Sequence, residues 1–361
     1  MSMFDEISKQ INKYPGLVSI IDEIEPFKSE LNHLPHFGMV LFGPDSFKQG
    51  EVFNIIEYLK QNGFVLIDIK TKRITKTETE NLFLPTSTCI ECRSLKWWMI
   101  QDSAEMGEFS AAIFYSEKAT QNFNCLNQLN QYKGNSNPLK NNCGVIRHDF
   151  KAINVCLNLI HIPDTYGDFF KDTSPFYSVE ELFSLFSTRK KRDNRDTIEQ
   201  KQLANQLFLI DLYSNNNNYY CFELSFYKVK YFLAEKLYRI CNIIKLDELL
   251  LHYRKLYAFF KQCSTREERY HVFLTNISSE QEAIFDIQSE IKDQIANHQN
   301  KRHFIDLISA YQISELLLMI TDPNYFVQTG DSFFTKLTPY DITIDLYEQL
   351  IIKTTLFQWK K

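Results

Sequence analysis

The chain has 361 residues, 44% hydrophobic and 24% charged, with a net charge of −5 and a pI of about 6.0. That composition builds buried cores and excludes a disordered chain, and the acidic balance argues against a protein that coats nucleic-acid phosphates. Length alone predicts two or three domains, at roughly 150 residues each. Nine of the ten glycines fall at or before Gly167, and eight of the ten prolines at or before Pro175. The chain therefore reads as differently built parts joined near residue 175: an N-terminal helical extension over 1–34, a domain over 35–175 and a helical domain over 176–361.

Residues 3–34 alternate acidic, basic and apolar positions and predict one or two short helices before Pro35. Met39–Phe42 is a strand that stops at Gly43-Pro44-Asp45. Val52, Ile55, Ile56 and Leu59 lie on one face of a helix over 50–62, which Gly63 ends as a left-handed cap. Phe64–Ile69 follows as a strand and 75–83 as a helix, while 84–108 is poorly periodic. Ala111–Tyr115 is a strand and Thr120–Tyr132 a helix. After an aperiodic stretch at 134–150, Ile153–Ile160 reads as a buried strand. The order β-α-β-(α)-β-α-β is that of an α+β, ferredoxin-like (βαββαβ) domain: a four-stranded antiparallel sheet with helices on one face.

Beyond Pro175, Ser178 and Glu181 form a capping box that opens a helix toward Phe186. The basic stretch Arg189–Arg195 reads as a solvated loop, with a phosphate-binding patch as the sharper alternative. Leu203, Leu207 and Ile210 continue a helix that ends at the Asn215–Asn218 surface loop. Leu233, Leu237, Ile240, Cys241 and Ile244 are spaced as one buried helical face, and further helices fit 246–262, 279–298 and 302–321. This part is all-helical, with no repeat or motif to assign.

The N-terminus lacks a basic segment followed by an apolar one, so no signal peptide is expected. The most apolar helix candidate, Ile305–Ile320, carries Asp306 and Glu315, so no membrane span is expected. The eight cysteines are scattered, several inside apolar runs such as Val155-Cys156-Leu157, and read as small hydrophobes. These features predict a soluble, cytoplasmic protein, with secretion as an effector left open.

Polar residues crowd two segments of the first part. Gly43–Gly50 joins a strand to a helix, which can seat phosphates on backbone N–H groups, but it lacks the Gly-Lys-Ser/Thr ending of a P-loop. The other is made of Gly134–Pro138, Gly144–Phe150 and Asn158–Thr165. Here His161 closes a buried strand at a turn, with Asn158 before it and Asp164 and Asp172 after it. A nucleophilic imidazole needs one free ring nitrogen and a partner that fixes its tautomer through the other. Arg147 and Ser136 would give charge and a hydroxyl to phosphate oxygens. Blander readings stand beside these. His161 would be a satisfied buried histidine, Arg147 a tie for the 134–145 loop through Asp149 or Asp164, Asp172 a helix-face carboxylate, and Trp97 and Trp98 core or lid packing. Cys89 and Cys92 would be half of a zinc site, with no second pair nearby in sequence, so no metal ligands are assigned.

The first part resembles nucleoside diphosphate kinases. That family carries Lys-Pro-Asp, then a Thr-Asn-Pro loop, Ile-Arg-Gly-Asp-Phe, and Asn-x-x-His-Gly-Ser-Asp-Ser around its phosphorylated histidine. The matching stretches are Gly43-Pro44-Asp45, Ser136-Asn137-Pro138, Ile146-Arg147-His148-Asp149-Phe150, and Asn158 through His161 to Asp164-Thr165. The eleven-residue steps from Ser136 to Arg147 and from His161 to Asp172 equal the family's spacing. The resemblance implies a ferredoxin-like fold and a ping-pong reaction. His161 would accept the γ-phosphoryl of ATP or another nucleoside triphosphate bound with Mg2+, oriented by Asp172. Ser136 and Arg147 would contact phosphates, Asn158 the sugar, and Val155 would stand beside the base. A nucleotide is the implied ligand, a homo-oligomer is compatible with it, and residues 176–361 are the candidate surface for a protein partner or acceptor.

The departures weaken that reading. Gly43 stands where the family has a phosphate-binding lysine, and Asn130 where it has an arginine. His148 replaces a glycine, one residue is inserted between Phe150 and Val155, and Pro163 replaces the serine after the active histidine. Lys48, Lys133 and His148 are the candidates for the missing positive charge. The alternative is therefore a catalytically weak or inactive nucleotide-binding or protein-interaction module, an effector or regulator.

Overall fold

Residues 2–84, 97–190, 203, 207, 210, 220–241, 243–263, 265–297 and 301–358 are described by a computed structural model, in which the chain divides into a unit over 1–219 and a unit over 220–361. Cys89 and Cys92, the basic residues 191–195 and Asn215–Asn218 lie outside the described residues.

The first unit opens with α1 (Met3–Ile11) and α2 (Ser19–Ile24), with short 3-10 turns between and after them. Strand β1 (Phe37–Phe42) then leads into α3 (Pro44–Lys48) and α4 (Val52–Gln61), followed by β2 (Phe64–Lys72) and α5 (Lys76–Leu82). Next come α6 (Trp97–Glu105), β3 (Phe109–Ser116), α7 (Cys125–Lys133) and α8 (Ile146–Asp149). Strand β4 (Ile160–His161), α9 (Tyr166–Thr173) and α10 (Val179–Lys190) follow, and Leu203, Leu207 and Ile210 beyond them are helical. The sheet is antiparallel in the order β2-β3-β1-β4, the ferredoxin-like arrangement expected from the element order.

Strand β1 is central and all six of its residues are buried, which explains why it carries no polar alternation. Gly38 lets α7 close on it: a Cβ there would stand 2.7 Å from Leu129 Cδ1. Phe37, one residue before Gly38 along the strand, packs its ring against Phe186 of α10 at 4.3 Å between centroids. Leu82, Phe170 and Phe183 belong to the same core. The Ser178–Glu181 capping box opens α10 as its sequence requires, and Gly63 has a φ of +90° after α4. Trp97 is buried, in keeping with packing, and α6 fills part of the stretch that had no readable period.

Three boundaries differ from the sequence reading. The helix placed at Thr120–Tyr132 begins only at Cys125, where the Asn124 side chain caps it by accepting from Asn127 N–H. The Gly43–Gly50 loop contains a short helix, α3. Residues 153–159 do not form a strand: Asn154 Oδ1 accepts from the Cys156 and Leu157 amides in a turn, and only Ile160 and His161 pair with β1.

In the second unit α11 (Phe222–Ile240), α12 (Ile244–Gln262), α13 (Arg266–Ala296), α14 (Lys301–Thr321), α15 (Pro323–Leu337) and α16 (Leu346–Gln358) form an all-helical bundle, with α11 packed against α12, α14 and α16. Ile244 is not on the buried face drawn through Leu233 and Leu237. The helix breaks at extended Cys241, Ile244 starts α12, and it is 80% exposed. The window Phe304–Thr321 of α14 is long and apolar enough to cross a membrane, with a mean hydropathy of 1.4, although half of it is buried in the bundle. Glu280 of α13 is a buried hub that accepts from Tyr227 Oη at 2.7 Å and from Lys230 Nζ, and pairs with His252 Nε2 at 3.3 Å. The Lys230 ammonium also lies 5.0–5.1 Å from the ring centroids of Phe226, Tyr227 and Tyr253. Burial pulls Lys230 down. It pushes Glu280 up, but Lys230 and the hydrogen bonds from His252 and Tyr227 outweigh this and leave Glu280 below its usual range.

Candidate active site

The backbone just before β4 sets the position of His161. Leu159 has a φ of +70°, a conformation costing a non-glycine residue roughly 1–2 kcal/mol. Three hydrogen bonds hold it there. The Gly43 amide donates to the Leu159 carbonyl at 3.2 Å, the Ser46 hydroxyl donates to the same carbonyl, and the Leu159 amide donates to Asp45 Oδ2 at 2.7 Å. The Gly43–Ser46 segment thus spends its polar groups on the strand that carries His161, which is why so polar a turn is buried. Burial pushes the Asp45 carboxyl up to about 6, against the pull of its amide bonds and of Arg147.

His161 ends β4 opposite Leu41 of β1. Its Nε2 lies 2.8 Å from Asp172 Oδ2 on α9, and the Asp172 side chain is fully buried while that of His161 is 38% exposed. A carboxylate only accepts, so Nε2 is the donor of this bond, and in the neutral imidazole the lone pair is then on Nδ1. The Asp172 Oδ1 atom takes a bond from Lys171 Nζ, which also donates to the Leu82 carbonyl at 2.7 Å.

Two cations grip the carbonyls on either side of His161. Arg147 Nη2 donates to Ile160 O at 2.8 Å and Nη1 to Gly134 O at 3.0 Å. Lys133 Nζ donates to Ile162 O at 2.7 Å and to Asp164 Oδ1 at 3.2 Å. Burial brings the Arg147 guanidinium down to about 10, with Asp45 and Asp164 opposing, and also lowers Lys133, with Asp164 as the main opposing charge. Arg147 therefore ties the 134–145 loop to the His161 strand through carbonyls rather than through Asp149 or Asp164. Its Nε is buried without a partner.

The other predicted residues make contacts of their own. Ser136 is exposed in the loop after α7. Asn158 Nδ2 donates to the carbonyl of exposed Val155 at 2.8 Å, which joins these two in one turn. Asn130 donates to Pro163 O at 2.9 Å, and its Oδ1 is buried and unpartnered. His148 pairs with Asp149 at 2.8 Å. Sequence reasoning assigned no role to Asp45, Leu159 or Lys171. Asp45 stood inside a quoted motif and could have been found; a left-handed leucine and a lysine buried on an amphipathic helix leave no such trace. Among the described residues no three His, Cys, Asp or Glu side chains gather as a metal cage.

Residues 38–182 match the family model described as nucleoside diphosphate kinase. This region is a divergent nucleoside-diphosphate-kinase-like domain. A nucleoside diphosphate kinase of Fervidobacterium nodosum is 26% identical over 147 residues, 41% of this chain and 92% of that protein. One from Thermosipho africanus is 24% identical over 149 residues, with the same coverage. The crystal structure of the nucleoside diphosphate kinase from Encephalitozoon cuniculi is similar at 19% identity and a TM-score of 0.35, covering 40% of this chain and 90% of that one. That of Aquifex aeolicus stands at 17% identity and a TM-score of 0.34, covering 40% and 97%.

Proposed function

We propose that this domain transfers the γ-phosphoryl group of a Mg-nucleoside triphosphate through a phosphohistidine at His161. The observation that carries the reading is the pairing of His161 Nε2 with buried Asp172 on a reachable side chain, which in the neutral ring puts the lone pair on Nδ1. In the first half-reaction the Nδ1 lone pair attacks the γ-phosphorus. The bond from that phosphorus to the bridging oxygen breaks, and the nucleoside diphosphate leaves with the electron pair. In the second, a terminal oxygen of an acceptor diphosphate attacks the same phosphorus, and the P–N bond breaks to regenerate Nδ1. Asp172 stabilises the positive charge that forms on the ring during the first step.

The Mg2+ enters as part of the nucleotide substrate, where it neutralises phosphate charge. Arg147 and Lys133 add fixed positive charge at the His161 strand, and the family resemblance assigns Ser136 to phosphate, Asn158 to the sugar and Val155 to the base. A second reading, nucleotide binding without turnover, is favoured by the engagement of the Gly43 amide and the Asn130 side chain with backbone carbonyls, where cations would be wanted. The two readings separate in a transfer assay with ATP and each nucleoside diphosphate. We expect formation of the new triphosphate by the wild type and none by His161→Gln. Binding without any transfer, to a nucleotide or to an added protein acceptor, would leave the second reading.

A further inference from the structure

The bond between His161 and Asp172 directs chemistry only while the carboxylate keeps one orientation. The segment after His161 gives it no help. Ile162 is apolar, Pro163 has neither a side-chain donor nor an N–H, Asp164 is an acceptor, and the Thr165 hydroxyl donates to Asp168 Oδ2 at 2.8 Å. The second donor to Asp172 comes from its own chain neighbour, Lys171, whose ammonium bonds Oδ1.

That ammonium is itself fixed. Lys171 is 4% exposed, its Nζ donates to the Leu82 carbonyl at the end of α5, and it stands 5.5 Å from the centroid of the Tyr14 ring. Tyr14 is fixed in turn by donating to Asp168 Oδ1 at 2.8 Å. Helix α9 is held against α1 by the Gly167 amide, which donates to Gln10 Oε1 at 2.8 Å. A lysine this buried has no solvent alternative, so its choice of partners is set by packing.

We propose that Lys171 is the positioning residue of this centre: it occupies Asp172 Oδ1 so that only Oδ2 faces the imidazole, which keeps the proton on His161 Nε2 and the lone pair on Nδ1. The consequence for catalysis rests on the phosphohistidine reading, whereas the consequence for the ring does not. The arrangement also recruits Tyr14, which precedes the matched kinase region, into the support of the centre.

The test uses the full chain with Lys171→Met and Lys171→Ala, the second leaving space should the larger apolar side chain prevent folding. Nitrogen-15 NMR of the His161 ring reads the tautomer. We expect Nε2–H in the wild type and a substantial population of Nδ1–H in the folded variant. For phosphorylation by ATP we expect kcat to fall by about 10- to 100-fold, with the nucleotide KM nearly unchanged. A variant that keeps the wild-type tautomer, or that loses KM rather than kcat, overturns the role of Lys171. A wild type that shows the Nε2–H ring but takes no phosphate overturns the phosphohistidine reading and leaves the role of Lys171 to the tautomer comparison.

Discussion

Replacing Asp45 by asparagine would remove an ionisable group from the place where the Gly43–Ser46 turn grips Leu159. Asp45 is 4% exposed, accepts the Leu159 amide at 2.7 Å, and has its carboxyl raised by burial from 3.8 to about 6. Between those two values the folded protein holds a proton that the unfolded chain releases. The resulting stabilisation is complete below about 3.8 and is lost as pH rises through about 6. The shift corresponds to on the order of 3 kcal/mol. Asparagine keeps a carbonyl oxygen for the Leu159 amide and does not titrate, so this slope is absent from the variant. We expect the stability of Asp45→Asn relative to wild type to improve by about 2.5 kcal/mol between pH 4 and pH 8. Urea unfolding of both proteins across that range, followed by circular dichroism, measures the difference. A difference that does not change with pH would refute the placement of Asp45 as a buried, titrating clamp.

Two further substitutions probe the packing. A Cβ at Gly167 would stand 2.4 Å from Gln10 Cβ, so Gly167→Ala should push α1 from α9 and cost about 1–3 kcal/mol in thermal unfolding. In the helical unit, Glu280→Gln leaves the fully buried Lys230 without its counter-charge and should cost about 3–5 kcal/mol. The double change Lys230→Met with Glu280→Leu should recover most of that loss, again read by thermal unfolding.

The parts of the fold that were legible in the sequence are those with an uninterrupted period. Strands β1, β2 and β3 and helix α4 have apolar runs bounded by Gly43, Gly63 and loop residues, and each lies where its pattern placed it. The region before β4 departs from its pattern, because 153–160 is as apolar as a strand. What decides its path is the Asn154 turn and the left-handed Leu159, and neither changes hydrophobicity. Ile244 departs from its pattern for a related reason: the helical spacing runs on through a backbone break at Cys241 that no proline or glycine announces. The pairing of His161 with Asp172 was legible as a spacing, and the structure closes it to 2.8 Å. Lys171 was not, since a lysine on a short amphipathic helix reads as a solvated charge. Its burial comes from α1, α5 and Tyr14, long-range neighbours that local pattern does not encode.

The central claim is that His161 carries the phosphoryl group. Incubation of the full chain with γ-labelled ATP and Mg2+, followed by mass spectrometry and acid treatment, tests it most directly. One acid-labile, base-stable phosphoryl group is expected on His161, discharged by added nucleoside diphosphate and absent from His161→Gln. Label that resists acid, resides elsewhere or persists in His161→Gln would contradict the claim.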